Sequence, residues 1–306
     1  MRRTITAGID GSLESLAAAE WAAREALLRD LPLALVQAGP RPLPRTHPSG
    51  IDAPAGQEDH LDSAVRELLV GFPELHVVPM CRPGPAGDAL LAAAGESEML
   101  VLGSRGFSGL AGFVIGSVAL DVTARARVPV VLVRGGWTAD EASLPAQARP
   151  VLLGLDLDGL DLESAGDELI SFAFDMAAAR GVPLEVLHSW RLPQLYPYGR
   201  AYDPLPAPDA AVLAAERQQA LTSALRPWRD KHAEVPLRVR LVAGRAAHQL
   251  LKAATRASLL VVGHRDGAGT RLGPVTQAAV HHVACPVAIV PHDHVPEAAT
   301  VGAAER

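Results

Sequence analysis

The feature that most constrains the fold is an internal repeat, because four apolar segments of the first half recur in the second half in the same order. The first-half segments are ITAGID at 5–10, LALVQAG at 33–39, MLVLGSR at 99–105 and VPVVLV at 128–133, and their echoes are VLLGLD at 151–156, LEVLHSW at 184–190, LLVVGHR at 259–265 and CPVAIV at 285–290. Ordered echoes indicate a tandem duplication. The chain is therefore predicted to hold one fold twice, at residues 1–136 and 149–292, with a tail at 293–306.

Each copy alternates short apolar runs, typical of buried strands, with longer stretches of helical periodicity. In the first copy the predicted strands are Thr4–Ile9, Leu33–Ala38, Leu75–Met80, Met99–Leu102 and Val128–Val133, and the predicted helices are Leu13–Arg29, Gln57–Val70, Asp88–Ala94 and Val118–Arg127. In the second copy the pattern predicts helices over 210–229 and 245–256. Strands separated by helices require crossover connections, which predict an α/β fold with a mostly parallel sheet.

Composition and charge narrow the class of protein. The chain is 49% apolar and 20% charged and carries a net charge of −6 without a basic run, so bulk electrostatics does not favour nucleic acid or an anionic membrane. Its two cysteines, Cys81 and Cys285, lie in different halves and lack C-x2-C spacing, which favours buried thiols in a reducing compartment. No run of 18 apolar residues occurs. We expect a soluble, cytoplasmic protein.

A glycine-rich stretch follows the fourth predicted strand of the first copy. Glycines at 103, 106 and 116, with Ser117 next, give the spacing G-x2-G-x9-G-[ST] over GSRGFSGLAGFVIGS. A loop without Cβ atoms at its tightest points lets backbone N–H groups approach an anion, and a helix N-terminus adds partial positive charge. The expected ligand is a phosphate, with a ligand-free structural turn as the alternative.

The second copy alters this stretch. From Gly103 to Pro129 is 26 positions, but from Gly263 to Pro286 is 23, so the second copy is three residues shorter here. Its sequence, GHRDGAGTRLGPVT, has Asp266 at the position equivalent to Gly106 and Pro274 at the position equivalent to Ser117. A carboxylate repels phosphate, and proline lacks a backbone donor. Gly267 and Gly269 could partly substitute through a different loop path. The second site is expected to be impaired or empty.

The residues just described resemble tandem universal stress protein domains. The resemblance is carried by GIDGS at 8–12, the glycine stretch at 103–117, ARVPVVLV at 126–133 and VHHVACPVAIV at 280–290, and it covers both halves. It implies that each domain is an open five-stranded parallel sheet flanked by helices, of the Rossmann-like, adenine nucleotide α-hydrolase-like type. It also implies ATP binding, alone or with Mg²⁺, where the glycine spacing is present.

The resemblance implies a set of nucleotide-binding positions. Asp10 would lie beside the nucleoside, the main chain at Ala38 beside the adenine, Gly103, Arg105 and Gly106 around the ribose and phosphates, and Gly116, Ser117 and Val118 at the phosphates, with Ile9, Gly11, Ser12 and Leu102 completing the set. Ligands of open α/β sheets bind outside the carboxyl ends of the strands, where these residues are predicted to lie. Two alternatives stay open: Asp10 as a mere cap of the first helix, for which Ser12 is the natural N-cap, and Arg105 as a solvated loop charge.

No catalytic constellation is visible in the sequence. The chain lacks G-x4-G-K-[ST], G-x-S-x-G and H-E-x-x-H, and the adjacent His281 and His282 point in different directions on a helix, so no catalytic or metal-binding residues are predicted. We expect an ATP-binding regulator of stress or dormancy with at most slow hydrolysis. A nucleotide-independent interaction module and an α-hydrolase-type enzyme are the alternatives.

The expected partners are an adenine nucleotide and another copy of the same fold. Two pairings are possible: the copies join within one chain through their final strands, Val130–Val133 and Val287–Val290, or two chains form a homodimer.

Overall fold

A computed structural model describes residues 4–39, 60–104, 115–136, 149–156, 167–190, 210–265 and 272–292. These parts of the chain contain ten strands and eight helices. The strands are β1 (Thr4–Ile9), β2 (Leu33–Ala38), β3 (Val77–Arg82), β4 (Ser97–Ser104), β5 (Val130–Arg134), β6 (Val151–Gly154), β7 (Leu184–Trp190), β8 (Leu237–Ala243), β9 (Leu259–Arg265) and β10 (Val287–His292). The helices are α1 (Leu13–Leu28), α2 (His60–Gly71), α3 (Ala86–Ala94), α4 (Ser117–Arg125), α5 (Asp167–Arg180), α6 (Ala210–Lys231), α7 (Ala246–Ala254) and α8 (Pro274–His282).

All ten strands belong to one sheet, in the order β3-β2-β1-β4-β5-β10-β9-β6-β7-β8. Within each half every neighbouring pair is parallel. The α/β prediction, with two tandem five-stranded parallel sheets, is confirmed. The structure adds that the two sheets are continuous with each other.

The two halves join through their final strands, which is the first of the two predicted pairings. β5 and β10 run antiparallel, with Val287 opposite Leu132, Ala288 opposite Val131 and Ile289 opposite Val130. Since the joining strands run in opposite directions, the carboxyl ends of the first-half strands and those of the second-half strands lie at opposite edges of the sheet. The carboxyl edges of the two halves, where the repeat places the two candidate sites, therefore face in opposite directions.

The sheet separates two apolar cores, one on each face. One core contains side chains from α1, α2, α5 and α6, and the other contains side chains from α3, α4, α7 and α8. Strands buried on both faces read as nearly continuous apolar runs, which is why the central strands were evident in the sequence. None of the helices within the described residues is long and apolar enough to cross a membrane.

Several predicted boundaries were off by a few residues. β3 begins two residues later than predicted and ends at Arg82, β4 spans 97–104 rather than 99–102, and α4 begins at Ser117 rather than Val118. The sequence prediction gave no bounds for α5, β8 or α8, although it placed His281 and His282 on a helix. In β8 the alternation LRVRLVA exposes Arg238 and Arg240, as expected for an edge strand with one solvated face.

Polar contacts also cross between the halves, and the most buried of them involves Glu25 of α1. This residue is 3% exposed, and its Oε1 accepts hydrogen bonds from Nε (2.8 Å) and Nη2 (2.5 Å) of Arg180, at the end of α5. The Arg180 guanidinium also lies 5.2 Å from the centre of the Trp21 ring. Arg29 lies 3.7 Å from Glu25 and donates to the Met176 sulfur. α1 and α5 are thereby fixed to each other by paired charges.

A second cross-half contact involves Arg134, the last residue of β5. Its guanidinium donates to the carbonyl oxygens of Val283 and Val280, which belong to the C-terminal end of α8, where the helix dipole favours a cation. Burial lowers the pKa of Arg134 to about 10, although nearby Cys285 opposes that shift. Arg134 thus caps a helix of the other half.

Removing one partner of the buried Glu25–Arg180 pair should destabilise the whole chain. We expect Glu25→Ala to lower the free energy of unfolding by about 3–5 kcal/mol, because it leaves the Arg180 guanidinium buried without its carboxylate. Chemical denaturation followed by circular dichroism measures this change. Asp88→Ala is the matched control, since it removes one partner of the exposed Arg125–Asp88 pair (42% and 60% exposed side chains) and should leave the transition unchanged. Equal shifts in the two variants would contradict the role given to Glu25.

Candidate functional site

The turn after β1 places a carboxylate at the carboxyl edge of the first-half sheet. Oδ1 of the exposed Asp10 accepts hydrogen bonds from the Ser12 backbone N–H (3.0 Å) and the Ser12 hydroxyl (2.5 Å). The Ser12 Oγ in turn accepts from the Ser15 N–H at 3.2 Å, which makes Ser12 the N-cap of α1, as predicted. The cap is therefore Ser12, and the Asp10 carboxylate orients it while remaining exposed to solvent.

The same hydrogen bonds determine the charge of Asp10. Burial raises the pKa of its carboxyl, but the hydrogen bonds from Ser12 lower the pKa more, so the net value lies below the usual 3.8. The group is ionised at neutral pH. An ionised carboxylate is an acceptor only, which suits it to hydroxyl groups of a ligand.

Gly103, at the end of β4, is required by packing. A Cβ at this position would lie 2.5 Å from the backbone carbon of Glu14 and 2.7 Å from the backbone nitrogen of Ser15, in the first turn of α1. Gly11 is required by its dihedral angle, since its φ is +83°. The glycines at 11 and 103 therefore bring β1, β4 and the start of α1 close together, a reason for glycine that does not involve a ligand.

Gly116 differs from these two glycines. It is the N-cap of α4 with φ −64° and ψ 146°, which any residue adopts, and a Cβ built on it would have no atom of the described residues within 4 Å. Ser117 and Val118 follow at the exposed start of the helix. The first N–H groups of an α-helix have no intrahelical partners, so this start has backbone donors that a ligand can use. That arrangement is suited to an anion.

Of the remaining predicted positions, some can reach a ligand only through their backbone, and others lie outside the described residues. Ile9 and Leu102 are each 4% exposed, and their side chains belong to the cores on opposite faces of the sheet, so only their backbone can face a ligand. Ala38 ends β2 at the same edge and is half-buried. Arg105 and Gly106 lie outside the described residues, and their roles stay predictions.

The equivalent edge of the second half carries a cleft of about 460 Å³ at the carboxyl ends of β6, β7 and β9. Sequence reasoning expected this site to be impaired or empty and did not predict a cleft. The signal that could have revealed it was the repeat itself, since Asp156 follows β6 as Asp10 follows β1. In the second half the place of Gly135 is taken by His292, whose ring lies 2.5 Å from where a Cβ of Gly263 would be. The two sites are therefore not equivalent.

Metal binding has no support from the parts of the chain that the structure describes, which hold no group of three His, Cys, Asp or Glu side chains suited to an ion. The rings of His281 and His282, at the end of α8, are 6.3 Å apart and tilted by 53°. They do not converge on a common point with further ligands.

Two glycine substitutions should show which of these glycines is required for packing. We expect Gly103→Ala to destabilise the protein by about 1–3 kcal/mol, because the added Cβ would overlap backbone atoms of α1. Gly116→Ser should change stability by less than about 0.5 kcal/mol, since serine is an equally good N-cap and meets open space. Thermal unfolding of both variants tests this. The interpretation fails if Gly116→Ser is the more destabilising change.

The lowered pKa of Asp10 predicts a specific dependence of stability on pH. Because the folded-state value lies below the unfolded one, ionised Asp10 stabilises the folded protein above about pH 5, and this contribution is lost as the pH falls through the folded-state pKa. In Asp10→Asn the free energy of unfolding should therefore decline less on acidification than in the wild type. Urea denaturation at pH values between about 5 and 3 measures the difference. Parallel curves for the two proteins would show that Asp10 has no shifted pKa.

Comparisons with known proteins agree with the geometry. The sequence pattern of the universal stress protein family matches residues 1–134 and 149–291. A universal stress protein of Mycobacterium tuberculosis (strain ATCC 25618 / H37Rv) is 31% identical over 306 residues, covering 93% of this chain and 96% of its relative. One of Mycolicibacterium smegmatis is also 31% identical, with 94% and 96% covered.

Solved structures show the same fold. A universal stress protein from Archaeoglobus fulgidus DSM 4304 superposes with a TM-score of 0.61 at 15% identity, covering 94% of this chain and 98% of the other. A putative universal stress protein from Pseudomonas aeruginosa UCBPP-PA14 gives a TM-score of 0.61 at 17% identity, with 95% and 94% covered. These two similarities concern the architecture.

Proposed function

The chain belongs to the universal stress protein family, and from this premise we propose that its first half binds ATP and that the protein acts as a nucleotide-dependent regulator in the cytoplasm. The bound nucleotide shifts the protein between states and is turned over slowly, if at all. A ligand acts in this way only through a difference in its affinity for two arrangements of the protein. Stress or dormancy is the proposed context of that regulation.

The observation that carries the proposal is the exposed start of α4. A Cβ at Gly116 would have no atom of the described residues within 4 Å, and Ser117 adds a hydroxyl to the backbone donors of the first turn. Phosphate groups bind such helix starts through backbone N–H groups and the helix dipole. The glycine spacing from Gly103 to Ser117, which includes Gly106 and Arg105, supports a phosphate chain rather than a single anion.

Asp10 is proposed to bind the nucleoside part of the same ligand. Its ionised carboxylate lies at the carboxyl edge of the sheet, next to the ends of β2 and β4, which pair with β1 on either side. A ribose hydroxyl can donate to this carboxylate, while the backbone at Ala38 and Leu102 borders the base and sugar. Ligands of open α/β sheets bind at such an edge.

Hydrolysis of the bound ATP is proposed to be slow. Efficient phosphoryl transfer needs a positioned nucleophile and neutralisation of the γ-phosphate charge, usually by Mg²⁺ and arginine or lysine. The residues proposed to reach the phosphates are Ser117 and Arg105, and neither is a general base. We therefore propose binding, of ATP alone or with Mg²⁺, as the function, with turnover below about 1 s⁻¹.

Copying the second half's proline into the first half tests the site. Ser117→Pro removes one N–H and one hydroxyl donor but keeps the fold, because proline is tolerated at the first helical position and Gly116, with ψ 146°, already has the conformation that precedes a proline. We expect ATP affinity to fall by about tenfold or more in isothermal titration calorimetry. Gly106→Asp, which places a carboxylate in the glycine stretch, should abolish binding.

Pro274→Ser is the matched control, since it makes the reverse change in the second half and should leave first-site affinity unaltered. Unchanged ATP affinity in both Ser117→Pro and Gly106→Asp, with the fold retained by circular dichroism, would overturn the proposal. The nucleotide content of the purified protein separates the alternatives. A single competent site in the first half predicts one bound nucleotide per chain, whereas an interaction module needs none. Multiple turnovers per second with Mg²⁺ would favour an enzyme.

A further inference from the structure

The cleft of the second half has the size and walls of a small-molecule site. Its volume of about 460 Å³ lies within the usual range for such sites, roughly 300–1,000 Å³. Apolar side chains that are nearly completely buried form its walls: Leu155, Leu187, Leu250 and Val262. Asp156, Ser189 and His264 add polar atoms. A flat, largely apolar ring system with a few polar atoms suits this lining.

The side of the cleft formed by the start of α8 is poor in donors for a phosphate chain. Pro274 at the first helical position has no N–H, and the N-cap Gly273 has no side chain. The Thr276 hydroxyl donates to the carbonyl oxygen of Gly263 at 3.0 Å, so it is engaged with backbone. Gly263 and Gly273 are ten positions apart, against thirteen for Gly103 and Gly116, which leaves less chain to surround phosphates.

One cation does line the cleft. Arg265 ends β9, and its side chain is exposed. Charge interactions at an exposed position are weakened by water and salt and contribute little to affinity. Arg265 therefore does not replace the backbone donor that Pro274 lacks.

The opposite side of the cleft keeps the features that suit a sugar and a base. Asp156 follows β6 at the position that Asp10 holds after β1, and a carboxylate there can accept from sugar hydroxyls. The turn that carries it is supported by His188, a fully buried residue of β7 whose Nδ1 lies 2.9 Å from the Leu155 carbonyl oxygen. The nucleoside end of the site is thus preserved where the phosphate end is not.

We infer that the second-half cleft is a binding site for a nucleoside without a phosphate chain, and that it excludes nucleoside triphosphates. The choice of a nucleoside rests on the proposed function of the first half, because the two clefts are repeats of each other. The absence of phosphate rests on Pro274, Thr276 and the shorter connection. The protein then has two sites of different selectivity.

A pair of tryptophan substitutions distinguishes the two sites. Ala246, the first residue of α7, lines the second cleft and is half-buried, so Ala246→Trp fills the cleft from a helix start. Ala86, the first residue of α3, holds the corresponding position in the first half and is also half-buried. Adenosine and ATP are titrated separately into the wild type and both variants by isothermal titration calorimetry, after circular dichroism confirms that each is folded.

We expect the wild type to bind adenosine at a site that Ala246→Trp removes and Ala86→Trp leaves intact. ATP binding should show the reverse dependence, and Asp156→Asn should weaken adenosine binding at the second site by about tenfold or more. The inference is overturned if Ala246→Trp leaves adenosine binding unchanged, or if it removes a bound ATP. A wild type that binds adenosine in the second cleft but no ATP at all would refute the proposed function and leave the second site standing.

Discussion

The antiparallel pairing of β5 with β10 is the contact on which the rest of the structure depends. It joins two five-stranded parallel sheets into one and gives β5 and β10 a second neighbour, so that β3 and β8 are the edge strands of the described sheet. It also brings α1 against α5, where the Glu25–Arg180 pair is buried, and Arg134 against the end of α8. The same contact places the two candidate sites at opposite edges of the sheet, because it turns the strands of one half opposite to those of the other.

Glycine serves three different purposes at the carboxyl edge of the first half. Gly11 provides a positive φ, and Gly103 allows the backbone of α1 to approach β4. Gly116 does neither, and a Cβ there would have no atom of the described residues within 4 Å. A glycine motif read from spacing alone does not distinguish these purposes. Only the third leaves its explanation to a ligand, and this is why the start of α4 carries more of the functional argument than Gly103, where the motif begins.

Much of the fold could be predicted because the central strands are buried on both faces and contain continuous apolar runs, as in LALV of β2, VVLV of β5 and LLVV of β9. The edge strand β8 was not singled out, since half of its residues face solvent and its alternation with Arg238 and Arg240 resembles many exposed segments. The site was predictable as a set of strand ends and a helix start. The N-cap role of Ser12 was predictable as well. The packing role of Gly103 was not, because it depends on which backbone atoms lie within 3 Å, and spacing along the chain does not encode that distance.

Because both halves lie in one polypeptide, their association does not depend on protein concentration, whereas a dimer of separate subunits dissociates on dilution. In a dimer of identical subunits, moreover, every substitution appears in both binding sites at once. Covalent linkage removes that restriction: Ser117 and Pro274, or Gly135 and His292, occupy matching positions and yet differ. One half can therefore keep an ancestral ligand while the other acquires a new one, and the shared sheet holds the two in a fixed ratio of one to one.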